Sequence, residues 1–130
     1  RGAAFGDIDN DGDIDVIASY NNGPARLLLN QIGNRNPWLR VRLVGRRSNR
    51  DGIGARVTIV YADGRRRHRH VHRDGSYLSA SDVRVHFGLG DAGLPNRIVA
   101  AWPEGRREWW PVDAVEREIV LTEGDGRPIE

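Results

Sequence analysis

Apolar residues recur at every second position in short runs, and turn signals close each run. In residues 38–44, Leu39, Val41 and Leu43 share one face while Arg40 and Arg42 share the other. Residues 53–61 repeat the pattern with Ala55, Val57 and Ile59, and Val83, Val85 and Phe87 alternate with Arg84 and His86. Residues 14–20 and 26–30 flank Asn21-Asn22-Gly23-Pro24, which predicts a hairpin. Further strands are predicted over 65–73, 77–80, 98–102, 107–110 and 119–122, separated by turns such as Ala62-Asp63-Gly64 and Pro103-Glu104-Gly105. No stretch keeps a helical period. The expected fold is all-β: a terminal hairpin followed by a small β-sandwich or open-barrel-like domain.

Two strands alone are marginal in water, so the hairpin must pack on the second unit or on further chain. The expected division is 1–32 for the hairpin unit, 33–124 for the β-domain and 125–130 for a linker or tail. The chain lacks Met altogether and does not start with one, which reads as an excised or processed segment. Absence of Cys excludes a disulfide framework, a thiolate nucleophile and a Cys-based zinc site. No apolar run approaches the roughly 20 residues of a membrane helix, so membrane insertion is not expected.

Charge is uneven. All 20 basic residues are Arg, but residues 1–30 carry two Arg against five Asp. Those Asp fall in Asp7-Ile8-Asp9-Asn10-Asp11-Gly12-Asp13-Ile14-Asp15, a carboxylate at every second position with Gly12 at the bend. Oxygen ligands alternating through a tight loop suit a hard cation of calcium size, and five carboxylates this close repel one another without one. An acidic turn without a metal is the plainer alternative. An EF-hand is disfavoured: its twelfth position needs a bidentate Glu, Ala18 stands there, and the exit Asp15-Val16-Ile17-Ala18 reads as a strand. The rest of the chain is mildly basic, without the one-sided stripe and interleaved aromatics that nucleic acid would require, so no nucleic-acid partner is expected.

Phe5-Gly6 followed by this loop resembles the calcium loop of FG-GAP/VCBS repeats, the repeats of integrin α-chain propellers. The resemblance covers residues 3–30 and implies the end of a propeller blade, with upstream blades of the parent chain as its neighbours. It implies calcium ligation by the side chains of Asp7, Asp9, Asp11 and Asp15 and by the backbone carbonyl of Asp13. Downstream, Trp38-Leu39, Ser48-Asn49-Arg50, Gly52-Ile53-Gly54-Ala55-Arg56-Val57, Gly75-Ser76-Tyr77-Leu78-Ser79, Phe87-Gly88-Leu89-Gly90 and Trp102-Pro103-Glu104-Gly105 resemble, in order and spacing, the ASPIC/UnbV domain of cartilage acidic protein and bacterial relatives. That resemblance implies an extracellular, secreted or cell-surface interaction module with no assigned catalytic residues.

Asn49, Arg50, Arg56, Tyr77 and Ser79 are the candidates for a ligand face. His68, His70 and His72 alternate and could hold zinc or copper, but their Arg neighbours disfavour a dication and a solvated strand face is the better reading. Gly-x-Ser-x-Gly and His-Glu-x-x-His motifs are missing, so an enzyme is not expected. The leading expectation is a non-catalytic calcium-binding adhesion or interaction segment with a protein or glycan partner. The alternatives are a carbohydrate-binding module using Trp109 or Trp110 with Tyr77, and an accessory domain of a larger extracellular enzyme.

Overall fold

A computed structural model describes residues 1–130. It contains eleven strands and no α-helix: β1 (Gly2–Gly6), β2 (Asp15–Ser19), β3 (Arg26–Leu28), β4 (Trp38–Val44), β5 (Arg56–Val60), β6 (Arg66–His70), β7 (Val85–Gly88), β8 (Arg97–Ala101), β9 (Arg107–Pro111), β10 (Arg117–Thr122) and β11 (Arg127–Pro128). The fold class is all-β, as the alternation predicts. No helix is long and apolar enough to cross a membrane.

The strands form three sheets, ordered β1-β2-β3, β10-β4-β7 and β11-β9-β8-β5-β6. The pairs are antiparallel except β10 with β4, which run parallel. The second and third sheets face each other across one core. Leu39, Val41 and Leu43 from β4 and Phe87 from β7 meet Val57 and Ile59 from β5 and Ile98 and Ala100 from β8. Each fully buried aliphatic side chain here contributes about 1.5–3 kcal/mol. The alternation in β4 selects this inner face, with Leu39 and Val41 wholly buried.

Three details depart from the expected strands. Residues 77–80 form a loop, not a strand: Leu78 takes φ 48° and is exposed, and the flanking serines bond β1 instead. Ser76 Oγ accepts from Ala3 N–H at 3.0 Å and Ser81 Oγ from Phe5 N–H at 3.2 Å. The tail expected to be a linker continues the sheet. Gly124 turns the chain at φ 95°, Arg127–Pro128 pair with β9, and Ile129 N–H donates to Arg107 O. The first sheet gains β1, which pairs with β2 along its whole length.

That first sheet leaves much apolar surface bare. Ala4, Ile17 and Leu27 lie in one cross-strand row, and Phe5, Val16 and Leu28 in the next. Adjacent rows point to opposite faces, so both faces are apolar, and Phe5, Ile17, Leu27 and Leu28 are each about half exposed.

Candidate metal centre at the aspartate loop

The loop between β1 and β2 carries five carboxylates, and the backbone folds to meet most of them. Asp7 is buried; its Oδ1 accepts from Asp11 N–H at 3.1 Å and its Oδ2 from Gly12 N–H at 2.9 Å. Asp15 is buried too, and ties the loop to the segment after β3: Oδ2 accepts from Ile8 N–H within the loop and Oδ1 from Asn30 N–H, both at 2.9 Å. Asp9 stands outside, with one 3.3 Å bond from Asp11 N–H. Carboxylate oxygens of Asp7, Asp9 and Asp15 lie within 4.8 Å of one another.

Asp11 and Asp13 sit differently. Asp11 accepts from Asp13 N–H at 3.2 Å and from Asn34 Nδ2 at 2.9 Å. Burial opposes its charge most strongly, but these hydrogen bonds outweigh burial and hold its carboxyl below the usual range. Asp13 is 1% exposed, and neither carboxylate oxygen has a hydrogen-bond partner. Burial, followed by the approach of the Asp11 carboxyl and the charges of Asp11 and Asp15, pushes its carboxyl up to about 6. The converging oxygens of Asp7, Asp9 and Asp15 are a donor set that fits a hard cation.

The β-domain reaches into the loop through residues that the alternation assigns to a solvent face. Arg40 does lie opposite the core, yet only 5% of it is exposed, because the loop covers it. Its guanidinium pairs with the Asp7 carboxylate and bonds Asn10 Oδ1 at 3.3 Å. It also stands over the Trp38 ring, 5.4 Å from the centroid, and that ring stacks on His86 at 6.0 Å. Burial first, and then the Arg40 charge, lower the His86 pKa. Arg84 donates to Asp7 O and to Asn10 Oδ1, each at 3.1 Å, and is held by Asp82 from behind. Gly12 completes the joint. It has φ 97°, and a Cβ there would lie 2.1 Å from the Trp38 ring.

Arg40 and Arg84 are therefore parts of the site that the sequence hides among 20 arginines. A faint signal exists for Arg40 alone, in the middle of the most apolar strand.

The proposed ligand face does not come together in one place. Asn49 is locked in its own turn, exchanging two 2.8 Å bonds with the Ile53 backbone. Arg50 is exposed close by in the same turn. Tyr77 is 70% exposed, and Ser79 Oγ donates to its carbonyl. Of the five, only Arg56 lines a cavity, on the outer side of the five-stranded sheet. Trp109 lies beneath Arg97 and Arg127, whereas Trp110 packs on the core. His68 and His70 meet edge to face at 6.0 Å; His72 lies beyond the strand, bonded to Asp74 O.

Two buried glutamates escaped the sequence reading. Glu123 Oε2 accepts from the N–H groups of Arg46, Arg47 and Ser48 at 2.8–2.9 Å, and Oε1 from Ser48 Oγ at 3.0 Å. Such a run of N–H groups is an anion-binding nest, filled here by the chain's own carboxylate. Glu108 accepts from Trp102 Nε1 at 2.9 Å and from Gly124 N–H.

No curated protein matches the chain. The family model described as ASPIC and UnbV matches residues 45–128. The matched segment starts just after β4 and runs through β11, so it contains both glutamate sites and all of the five-stranded sheet but not the aspartate loop. Because that match spans nearly two thirds of its length, the chain belongs to the ASPIC and UnbV family.

Proposed function

We propose that the chain is a non-catalytic, calcium-binding interaction segment of a secreted or cell-surface protein. In this reading residues 1–32 are the end of an FG-GAP/VCBS-type propeller blade, and the ASPIC/UnbV domain follows as an extracellular module for a protein or glycan partner. The observation that carries it is the loop itself: carboxylates of Asp7, Asp9 and Asp15 within 4.8 Å, beside a buried Asp13 carboxylate with no donor. Asp7, Asp9 and Asp15 would hold the cation, with Asp11 and the Asp13 carbonyl as the further ligands that the FG-GAP/VCBS resemblance implies, and the cation would supply positive charge that the backbone N–H groups leave lacking. The two apolar faces of β1-β2-β3 support the blade reading, because a sheet that is bare on both sides has the composition of one sandwiched between neighbours.

The test is calorimetric titration of calcium into chelator-treated protein, with Asp9→Ala as the paired variant. Asp9 is exposed and makes a single long hydrogen bond, so its removal leaves the fold in place. Calcium binding in the parent chain and its loss in the variant are expected, with a thermal midpoint that rises with calcium only in the parent chain. Binding that survives unchanged in Asp9→Ala, or no binding by the parent chain, overturns the calcium reading.

A further inference from the structure

The outer face of the five-stranded sheet carries charge of one sign only. Register places Arg107, Ala101, Arg56 and His70 in one cross-strand row, and Arg97, Val60 and Arg66 in another four residues along. The row between them holds Trp109, Val99, Thr58 and His68, with Arg127 at its end. No position in these three rows is Asp or Glu. The chain's ion pairs involve none of the five arginines, and the buried Arg97 Nε has no hydrogen-bond partner. Elsewhere the chain pairs its arginines readily, as Arg40, Arg84 and Arg73 show.

These residues enclose a groove of about 230 Å³ whose walls include Arg56, Arg66, Arg97 and Arg107. Between the arginines the groove is lined by Thr58, Val60, Val99, Ala101 and Ile129. From strand geometry, Arg56 and Arg107 are roughly 10 Å apart, as are Arg66 and Arg97, and the two rows are separated by about 13 Å. Guanidinium forks in such an array match planar carboxylate or sulfate groups, each taken by two parallel N–H bonds.

We infer that this face binds an acidic polysaccharide, a chain of sugars carrying carboxylates or sulfates at regular intervals. A protein partner would anchor an aromatic or aliphatic side chain, whereas four arginines line this groove against only Val60, Val99, Ala101 and Ile129 as apolar lining, which favours a ligand rich in anionic groups. Single-stranded nucleic acid needs free aromatic faces for stacking, whereas the face's one indole, Trp109, already has the guanidinia of Arg97 and Arg127 over it at 5.6 and 4.7 Å, and the imidazoles of His68 and His70 meet edge to face at 6.0 Å. A broad five-stranded face does not enter a duplex groove. The site shares no residue with the aspartate loop, so it does not depend on the calcium reading.

The experiment is calorimetry of the whole chain with a size-defined sulfated uronate oligosaccharide, in chelator, at low and high salt. Two triple variants carry the argument. Arg56→Gln/Arg66→Gln/Arg107→Gln removes three exposed groove arginines; Arg46→Gln/Arg47→Gln/Arg50→Gln removes the same charge from a distant exposed turn. Circular dichroism verifies that both fold. Binding by the parent chain is expected, weakened by roughly tenfold or more in the groove variant and by less than about threefold in the turn variant. Single-stranded DNA of equal charge is expected to bind more weakly than the oligosaccharide. No binding, equal losses in the two variants, or tighter binding of DNA would each overturn the assignment.

Discussion

Replacing Glu123 with Gln isolates the worth of one buried charge. The amide keeps the size and shape of the carboxylate, its oxygen can still accept from the N–H groups of Arg46, Arg47 and Ser48, and the Ser48 hydroxyl can turn to accept from the new NH₂. What disappears is the negative charge. Burial is the largest single influence on Glu123 and opposes ionisation, but the three backbone donors and the hydroxyl together outweigh it and hold the pKa at about 2, against a usual 4.5. With the group 1% exposed, that shift corresponds to about 3 kcal/mol of folding free energy. Because the folded pKa is depressed, this stability is complete above pH 4.5 and drains away as pH falls from there toward 2. Urea denaturation of the parent chain and of Glu123→Gln at a series of pH values measures it directly. The variant should be less stable by about 3 kcal/mol at neutral pH, with a gap that closes as the parent's own carboxylate protonates. A gap under about 1 kcal/mol at pH 7, or one that stays constant down to acid pH, would refute the account of a charge stabilised by the nest.

Gly12→Ala combines an unfavourable φ with a Cβ inside the Trp38 ring, so it should cost about 2 kcal/mol or more and change the Trp38 fluorescence environment, read by denaturation and emission spectra. Arg40→Met leaves the buried Asp7 carboxylate facing no guanidinium and should destabilise by about 3 kcal/mol or more in chelator; a loss under about 1 kcal/mol would show that the pair is incidental. Trp102→Phe removes the indole donor from Glu108 and leaves a cavity in the core, for a combined loss of about 2 kcal/mol or more in chemical denaturation.

What the sequence disclosed follows from the range of each interaction. Strands with one buried face announce themselves by alternation, and β4 emerges over the residues that Leu39, Val41 and Leu43 mark. Residues 77–80 misled because a short apolar–polar run fits a strand on its face, while its fate depended on serine hydroxyls bonding β1, more than 70 residues away in the chain. β11 was invisible for a similar reason: two residues, one of them proline, have no periodicity, and only the nearby edge of β9 makes them a strand. The aspartate loop was legible because its carboxylate spacing is local. Its partners Arg40 and Arg84 were not, since nothing in an arginine's immediate neighbours says which carboxylate will cover it. The nest around Glu123 joins positions some 75 residues apart.

The two carboxylate sites pose the same electrostatic problem and answer it differently. Glu123 is one charge met by three N–H donors and a hydroxyl, and needs nothing from outside. The aspartate loop gathers five charges, and its backbone donors and Arg40 meet Asp7 and Asp15, whereas the buried Asp13 oxygens have no well-formed hydrogen bond and lie close to the charges of Asp11 and Asp15. A buried acceptor pair without a donor costs several kcal/mol if it stays charged, which is why the Asp13 carboxyl is pushed up to about 6. Above that pH the chain must carry the cost or neutralise it. Arg40 cannot be the whole answer, because it is spent on Asp7 and fixed by Trp38 beneath it. The joint between loop and sandwich is thus built to hold the loop in place while leaving its charge incomplete. An acidic turn that settled its own charges would meet Asp13 as the nest meets Glu123, and on the proposed calcium reading a cation would supply that missing charge.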